Sequence, residues 1–169
     1  SWEVRLHLWI HTREHYPDTL SSGEDAIHAA TAVLIEGGEL TVREADEAME
    51  GATVTVTGGT LDLTARDDGI NASFSSKDDE ESENKHIQNN AFIRISGGTV
   101  SIQAGQDGLD SNGWLYLEGG TVSLEGKGED KESALDSGLG IQLTGGSVTI
   151  QGEAFGSDQI KDRTEIPWE

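Results

Sequence analysis

The acidic and amide side chains of this sequence are not scattered. Six stretches align on one pattern: EDAIHA (24–29), DEAMEG (46–51), DDGINA (67–72), QDGLDS (106–111), ESALDS (132–137) and SDQIKD (157–162). Their first positions read Glu24, Asp46, Asp67, Gln106, Glu132 and Ser157, and their second Asp25, Glu47, Asp68, Asp107, Ser133 and Asp158. Three residues beyond the second come His28, Glu50, Asn71, Asp110, Asp136 and Lys161. A single Asp-Asp-Gly is an ordinary solvated turn. Repeated at an interval, the same residues form columns of carboxylates. At the strand spacing of about 4.8 Å, two carboxylates repel by roughly 1 kcal/mol in water and roughly 3.5 kcal/mol at a dielectric near 20. A divalent cation between neighbouring copies removes that cost.

The ligand chemistry narrows the ion. Asp, Glu, Asn and backbone carbonyls offer only oxygen, and calcium takes about 6 to 8 oxygens in irregular geometry. Cys is absent, which excludes thiolate zinc and iron–sulfur sites. The few His disfavour zinc or copper. The expected Ca2+ ligands are Asp25, Asp46, Glu47, Asp67, Asp68, Asn71, Asp107, Asp110, Asp136 and Asp158, with several ions between adjacent coils. The strongest sites are expected between the coils of Asp46/Glu47, Asp67/Asp68 and Asp107, and a weaker or different one where Ser133 replaces the acid.

Such columns need a stacked frame, and the sequence contains one. Gly-Gly recurs at 37–38, 58–59, 97–98, 119–120 and 145–146, within VLIEGGELTV, VTVTGGTLDL, IRISGGTVSI, LYLEGGTVSL and IQLTGGSVTI. The intervals are 21, 39, 22 and 26 residues. The longest is one unit plus an insertion. A period of this length signals a solenoid. Either side of each Gly-Gly, apolar residues alternate with polar ones, the mark of strands with one buried face. Glycine suits a corner between two such strands. The apolar residues of the acidic stretches, Ile27, Met49, Ile70, Leu109, Leu135 and Ile160, give a third inward column. The expected fold is all-β: a right-handed parallel β-helix of five to six coils, its hand that of parallel crossovers. A sandwich or barrel predicts antiparallel hairpins instead. Residues 1–22, with apolar alternation from Trp2 to Ile10, read as an N-terminal capping or exchanged strand. Residues 23–160 are the repeats, 73–90 an inserted polar loop and 161–169 a short C-terminal tail.

With 32 acidic against 11 basic residues, neither nucleic acid nor an anionic membrane is an expected partner. No apolar run is long enough to span a bilayer. No signal peptide is evident, which fits a cytosolic chain or a mature secreted one.

DDGINA followed by IRISGGTVSIQAGQDGLDS resembles a bacterial carbohydrate-binding β-helix family, whose units read as an Asp-Gly-Ile corner followed by an Ile-Thr-Gly-Gly-Thr strand pair. The likeness spans roughly residues 23–160. It implies a secreted or cell-surface protein with a pectate-lyase-like fold, calcium at its acidic corners, and association with acidic plant polysaccharides and cellulose. By position, Asp25, Glu47, Asp67, Asp68 and Asp107 would be calcium ligands.

Three functions follow as expectations. The first is calcium-dependent binding of acidic polysaccharide, with no catalysis. Phe92 and Trp114 share an outward position on neighbouring coils, as do Arg94 and Tyr116, and aromatic faces beside a cation suit sugar rings. Cross-strand packing would explain the same residues. The second is an extracellular fibre subunit stacked head to tail on copies of itself, with strand complementation by residues 1–22. The third is a polysaccharide lyase, disfavoured because Arg43 and Arg66 read as charge-balancing residues and arginine stays protonated. The Thr55, Thr57, Thr60 and Thr64 cluster is broken on other coils by Arg94, Tyr116 and Glu125, against an ice-binding face. Asn71 begins an Asn-Ala-Ser glycosylation sequon.

Overall fold

In the computed structural model, the described residues are 5–7, 18–74, 87–126 and 132–168. They form an all-β solenoid of about five stacked coils with three faces. The face before each Gly-Gly stacks β1 (Arg5–His7), the end of β3 (Ile27–Ile35), the end of β5 (Met49–Val56), β8 (Phe92–Ile95), β11 (Trp114–Leu117) and β14 (Gly140–Leu143). The face after it stacks β2 (Asp18–Ser21), β4 (Glu39–Glu44), β6 (Thr60–Thr64), β9 (Thr99–Ala104), β12 (Thr121–Gly126) and β15 (Ser147–Ile150). The third stacks the starts of β3 and β5 with β7 (Ile70–Ala72), β10 (Leu109–Ser111) and β13 (Ser133–Ser137). All these pairings are parallel.

The alternation of the sequence becomes the core. Val33, Val54, Ile93, Leu115 and Ile141 lie in one register column, and Leu40, Leu61, Val100, Val122 and Val148 in another. All ten are buried. Each side chain therefore packs on its counterpart in the coils above and below, and each burial stabilises by about 1.5–3 kcal/mol. Slipping a strand by one residue would turn the whole set to solvent.

The Gly-Gly corner works as a stack. The second glycine of each pair has positive φ, as at Gly98 with φ 84°. A Cβ there would also fall 2.7 Å from Gly59 O in the coil before. Handedness and closeness both demand glycine at that position.

At the N-terminus, β1 pairs with β3 and β2 with β4 in parallel, so Leu6 stands in register with Val33 and Leu20 with Val42. Residues 5–7 and 18–21 thus stack in parallel on the repeats that the sequence pattern places from residue 23. Trp2, Val4, Leu8 and Ile10 lie outside the described residues, as does 75–86 of the inserted loop.

The solenoid ends at about five coils, within the five to six expected, and the C-terminus corrects the reading of SDQIKD as a further acidic corner. β16 (Glu153–Phe155) turns back antiparallel to β15, and β17 (Glu165–Pro167) runs antiparallel to β13. Between them SDQIKD forms a 3-10 turn, Ser157–Gln159, rather than another acidic corner. Ile166 takes the place across from Leu135 that the repeat assigned to Ile160, and Glu165 stands opposite Asp136 where Lys161 was expected.

Gln88 ties off the mouth of the insertion. Its Oε1 accepts from Phe74 N at 2.9 Å and from Asn112 Nδ2 at 3.3 Å, its Nε2 donates to Phe74 O, and its backbone N donates to Asn112 O. Gln88→Ala would strand the Phe74 backbone groups in a partly buried place. The expected cost is about 1–2 kcal/mol, measured by urea unfolding. An unchanged midpoint would show that water replaces the amide without loss.

Candidate functional site

The acidic corner joins the face of β6, β9 and β12 to that of β7, β10 and β13. Its first column is held by the backbone: Asp46 N donates to Glu24 O at 3.1 Å, Asp67 N to Asp46 O at 3.0 Å, and Gln106 N to Asp67 O at 3.1 Å. In the second column Asp107 N donates to Asp68 Oδ1 at 3.0 Å, and Ser133 donates from N at 2.5 Å and Oγ at 2.7 Å to Asp107 Oδ1. The third column is a register line, His28, Glu50, Asn71, Asp110 and Asp136.

The corner brings together some of the expected ligands and separates others. Asp68, Asp107 and Asp110 each offer a carboxylate oxygen within 4.8 Å of the others. A second group is Asp25, His28 and Glu50. Its imidazole donates from Nδ1 to Glu50 Oε2 at 2.6 Å and lies 3.4 Å from Asp25 Oδ2. Between the groups, Asn71 Nδ2 donates to Glu47 Oε1 at 3.1 Å, while Glu47 Oε2 and Asn71 Oδ1 are buried without hydrogen-bond partners. Asp46 is taken by Arg66, whose Nε and Nη2 donate to its Oδ1 at 2.9 and 2.7 Å while Nη1 reaches Glu44 at 2.8 Å. Arg66 is thus the charge-balancing residue the sequence suggested. Asp67 Oδ1 accepts from Gln106 Nε2 at 2.7 Å. Asp136 lies beyond Asp110 in the column. Asp158, in the 3-10 turn, is outside the columns.

Crowding of like charge is visible in the acidities. Burial first, then the charges of Asp68, Asp136, Asp107 and Glu47, push Asp110 up to about 8. Burial also raises Glu47 to about 7 against the Asn71 hydrogen bond, with Glu50, Asp25 and Asp68 adding to it. Asp68 rises to about 6, chiefly by burial, with Asp107, Asp67 and Glu132 adding and the Asp107 N–H opposing. Three carboxylate oxygens, those of Asp68 and Asp110 held against ionisation by burial, beside two orphaned buried oxygens, are a donor set that fits a hard divalent cation.

The aromatic residues do converge. Trp114 and Tyr116 stack at 6.0 Å with rings 20° apart, and Phe92 meets Tyr116 edge-on at 6.2 Å. Arg94 lies over both Phe92, at 5.3 Å, and Tyr116, at 4.6 Å. Its guanidinium approaches Glu118 at 3.4 Å and its side chain is 41% exposed. Trp114 also lies against Gly140 on the next coil, where a Cβ would fall 2.8 Å from the indole. The glycine lets the ring lie down on the sheet. Periodicity placed the aromatic pairs, but Gly140 and Glu118 were missed; the only signal was a glycine one coil beyond Trp114.

The fold defines a β-solenoid with an acidic corner and an aromatic patch on its outward columns. A family model described as carbohydrate-binding domain-containing protein matches residues 21–165, and the chain belongs to that family. The family points to carbohydrate as the partner and to a non-catalytic binding role. No curated protein and no solved structure matches the chain. No helix among the described residues is long and apolar enough to cross a membrane.

Proposed function

We propose that this protein binds acidic polysaccharide outside the cell, with calcium as its partner ion. The observation that carries the reading is the Trp114–Tyr116 stack with Arg94 laid over Tyr116, in a chain of a carbohydrate-binding family. Stacked indole and phenol rings give a flat apolar platform for the C–H face of a sugar. Arg94 supplies a fixed cation for a uronate carboxylate. In a chain at net charge -21, such a polymer needs local positive charge to approach.

Calcium supplies it at the corner. Asp68, Asp107 and Asp110 would hold the ion, with Glu47 and Asn71 beside them, and the ion would cancel the charge that opposes both the fold and the polymer. End-to-end stacking of copies, the other reading, would require β16 and β17 to leave the edges of β15 and β13 that they cover.

The test is titration calorimetry with polygalacturonate, in calcium and in chelator. Saturable binding in calcium, weakened at least tenfold by chelator, is the expected result. Equal affinity in both would remove calcium from the reading, and no binding to any uronate polymer would remove the acidic glycan.

A further inference from the structure

The aromatic face has a direction. One outward register column runs Thr55, Arg94, Tyr116 and Gln142, and the rings of Phe92 and Trp114 stand beside its Arg94 and Tyr116. The strands β8 and β11 are four residues long, about 13 Å, and each runs into a Gly-Gly corner. The column instead continues from coil to coil at about 4.8 Å per step, close to the length of a pyranose residue. A linear glycan laid along the solenoid axis therefore keeps to this face, with a sugar to each coil. One laid along a strand leaves it at the corner. Of the four residues in the column, Arg94 alone is charged. Its Nε is buried without a hydrogen-bond partner, and the Glu118 carboxylate stands 3.4 Å from that nitrogen. Glu118 is exposed at the edge of the platform, two residues beyond Tyr116. The acidic corner lies between the other two faces and is not part of this line.

We propose that this face reads a sparsely charged glycan: a chain along the solenoid axis in which a uronate stands among neutral sugars, with Glu118 turning away chains charged at every residue. The inference rests on the acidic-polysaccharide reading and deepens it by naming the class of polymer. A guanidinium grips a single carboxylate through paired N–H donors, and Arg94 Nε is a donor not yet used. On the neighbouring coils Thr55, Tyr116 and Gln142 offer a hydroxyl, a ring and an amide. These suit sugar hydroxyls and C–H faces but bring no charge to a carboxylate. A uronate over Tyr116 meets Glu118 instead, and a carboxylate desolvated there without a partner costs affinity. Like charge set against the wrong ligand is a common source of selectivity. In a chain at net charge -21, each further carboxylate on the glycan adds repulsion with no second cation in the column to receive it.

The experiment is titration calorimetry of the full chain, at constant calcium and ionic strength, with hexagalacturonate as free acid, half methyl ester and full methyl ester. The half ester is expected to bind at least fivefold tighter than either of the others. Arg94→Gln should lower it to the level of the full ester. Glu118→Gln should bring the free acid to within twofold of the half ester. Glu118 is exposed, so the fold should survive its replacement; the three ligands compared on the wild type need no variant. Affinity that rises steadily with the number of free acid groups would overturn this inference and leave the acidic-polysaccharide reading standing. So would a Glu118→Gln variant with an unchanged ratio of half ester to free acid, or an Arg94→Gln variant weakened for all three forms alike. A full ester bound as tightly as the half ester, or no binding of any form, would overturn both.

Discussion

Replacing Asp110 by Asn should raise the melting temperature of the metal-free protein and remove most of the rise that calcium produces in the wild type. The expectation follows from the carboxyl's place. Asp110 stands in register between Asn71 and Asp136, close to Asp68 and Asp107, and its pKa is raised from 3.8 to about 8. A folded value above the unfolded one means that the unfolded chain ionises more readily. For an acid shifted this way, stability is fully present below the unfolded pKa near 4 and is lost as pH rises through the folded value near 8. At pH 7 the loss at Asp110 is on the order of 3 kcal/mol. Asn keeps the size and a hydrogen-bonding head but not the charge. In chelator, the variant should melt about 5–10 °C above wild type at pH 7, and the gap should close toward pH 5. Calcium should raise wild type strongly and the variant little. Melting curves at pH 5, 7 and 8, each with calcium and with chelator, check both halves. A variant less stable than wild type in chelator at pH 7 would refute the account of crowded charge. An undiminished calcium shift would place the ion elsewhere.

The Asp110 column also shows how far the sequence could be read. A period in the apolar residues is a statement about spacing along the stack, and the stack obeys it. Val54 stands beside Ile93, Leu61 beside Val100, and Asn71 beside Asp110. These were legible because parallel coils turn sequence offset directly into neighbourhood. Partnerships that run off the column were not. Arg66 bonds back to Glu44, Asp46 and Gly23 O, which withdraws Asp46 from the carboxylates that could share an ion. Nothing in the spacing distinguishes an Arg that points to solvent from one that reaches the coil before. Ser133 is another case. It loses an acid from the second column but answers Asp107 with two hydrogen bonds, so the coil is satisfied by donors where others carry like charge.

The end of the solenoid was hidden for a different reason. SDQIKD carries the acid, the apolar residue and the spacing of a corner, yet the chain has already reversed at β16. A free parallel edge exposes unpaired backbone groups, and an antiparallel strand satisfies them as well as another coil would. Local composition does not distinguish the two outcomes. Trp168 shows the consequence: its Nε1 donates to Gln106 O at 3.0 Å, across 62 residues of sequence. A Cβ at Gly126 would fall 2.1 Å from its indole. The tail is thereby fastened to the fourth coil beside the acidic corner, through glycines whose role no repeat announces.

Trp114→Ala should cost the protein at least about 30-fold in affinity for polygalacturonate, measured at constant calcium. Aromatic residues at the centre of a binding patch commonly contribute about 2 kcal/mol or more, and each 1.4 kcal/mol is about tenfold. The indole is the larger half of the stack with Tyr116, and its removal also frees Tyr116 from one neighbour. A packing role alone predicts something else. Trp114 lies on the outer surface over Gly140, so losing it should lower stability by about 1 kcal/mol, too little to unfold the chain at assay temperature. Arg94→Gln separates sugar from charge. It should weaken uronate polymers and flatten their salt dependence while leaving neutral glucans unaffected, because the guanidinium over Tyr116 is the cation nearest the platform. If Trp114→Ala binds as wild type does, the aromatic face is cross-strand packing and the glycan must sit elsewhere. If Arg94→Gln weakens neutral and acidic polymers alike, the arginine positions the rings and does not read the carboxylate.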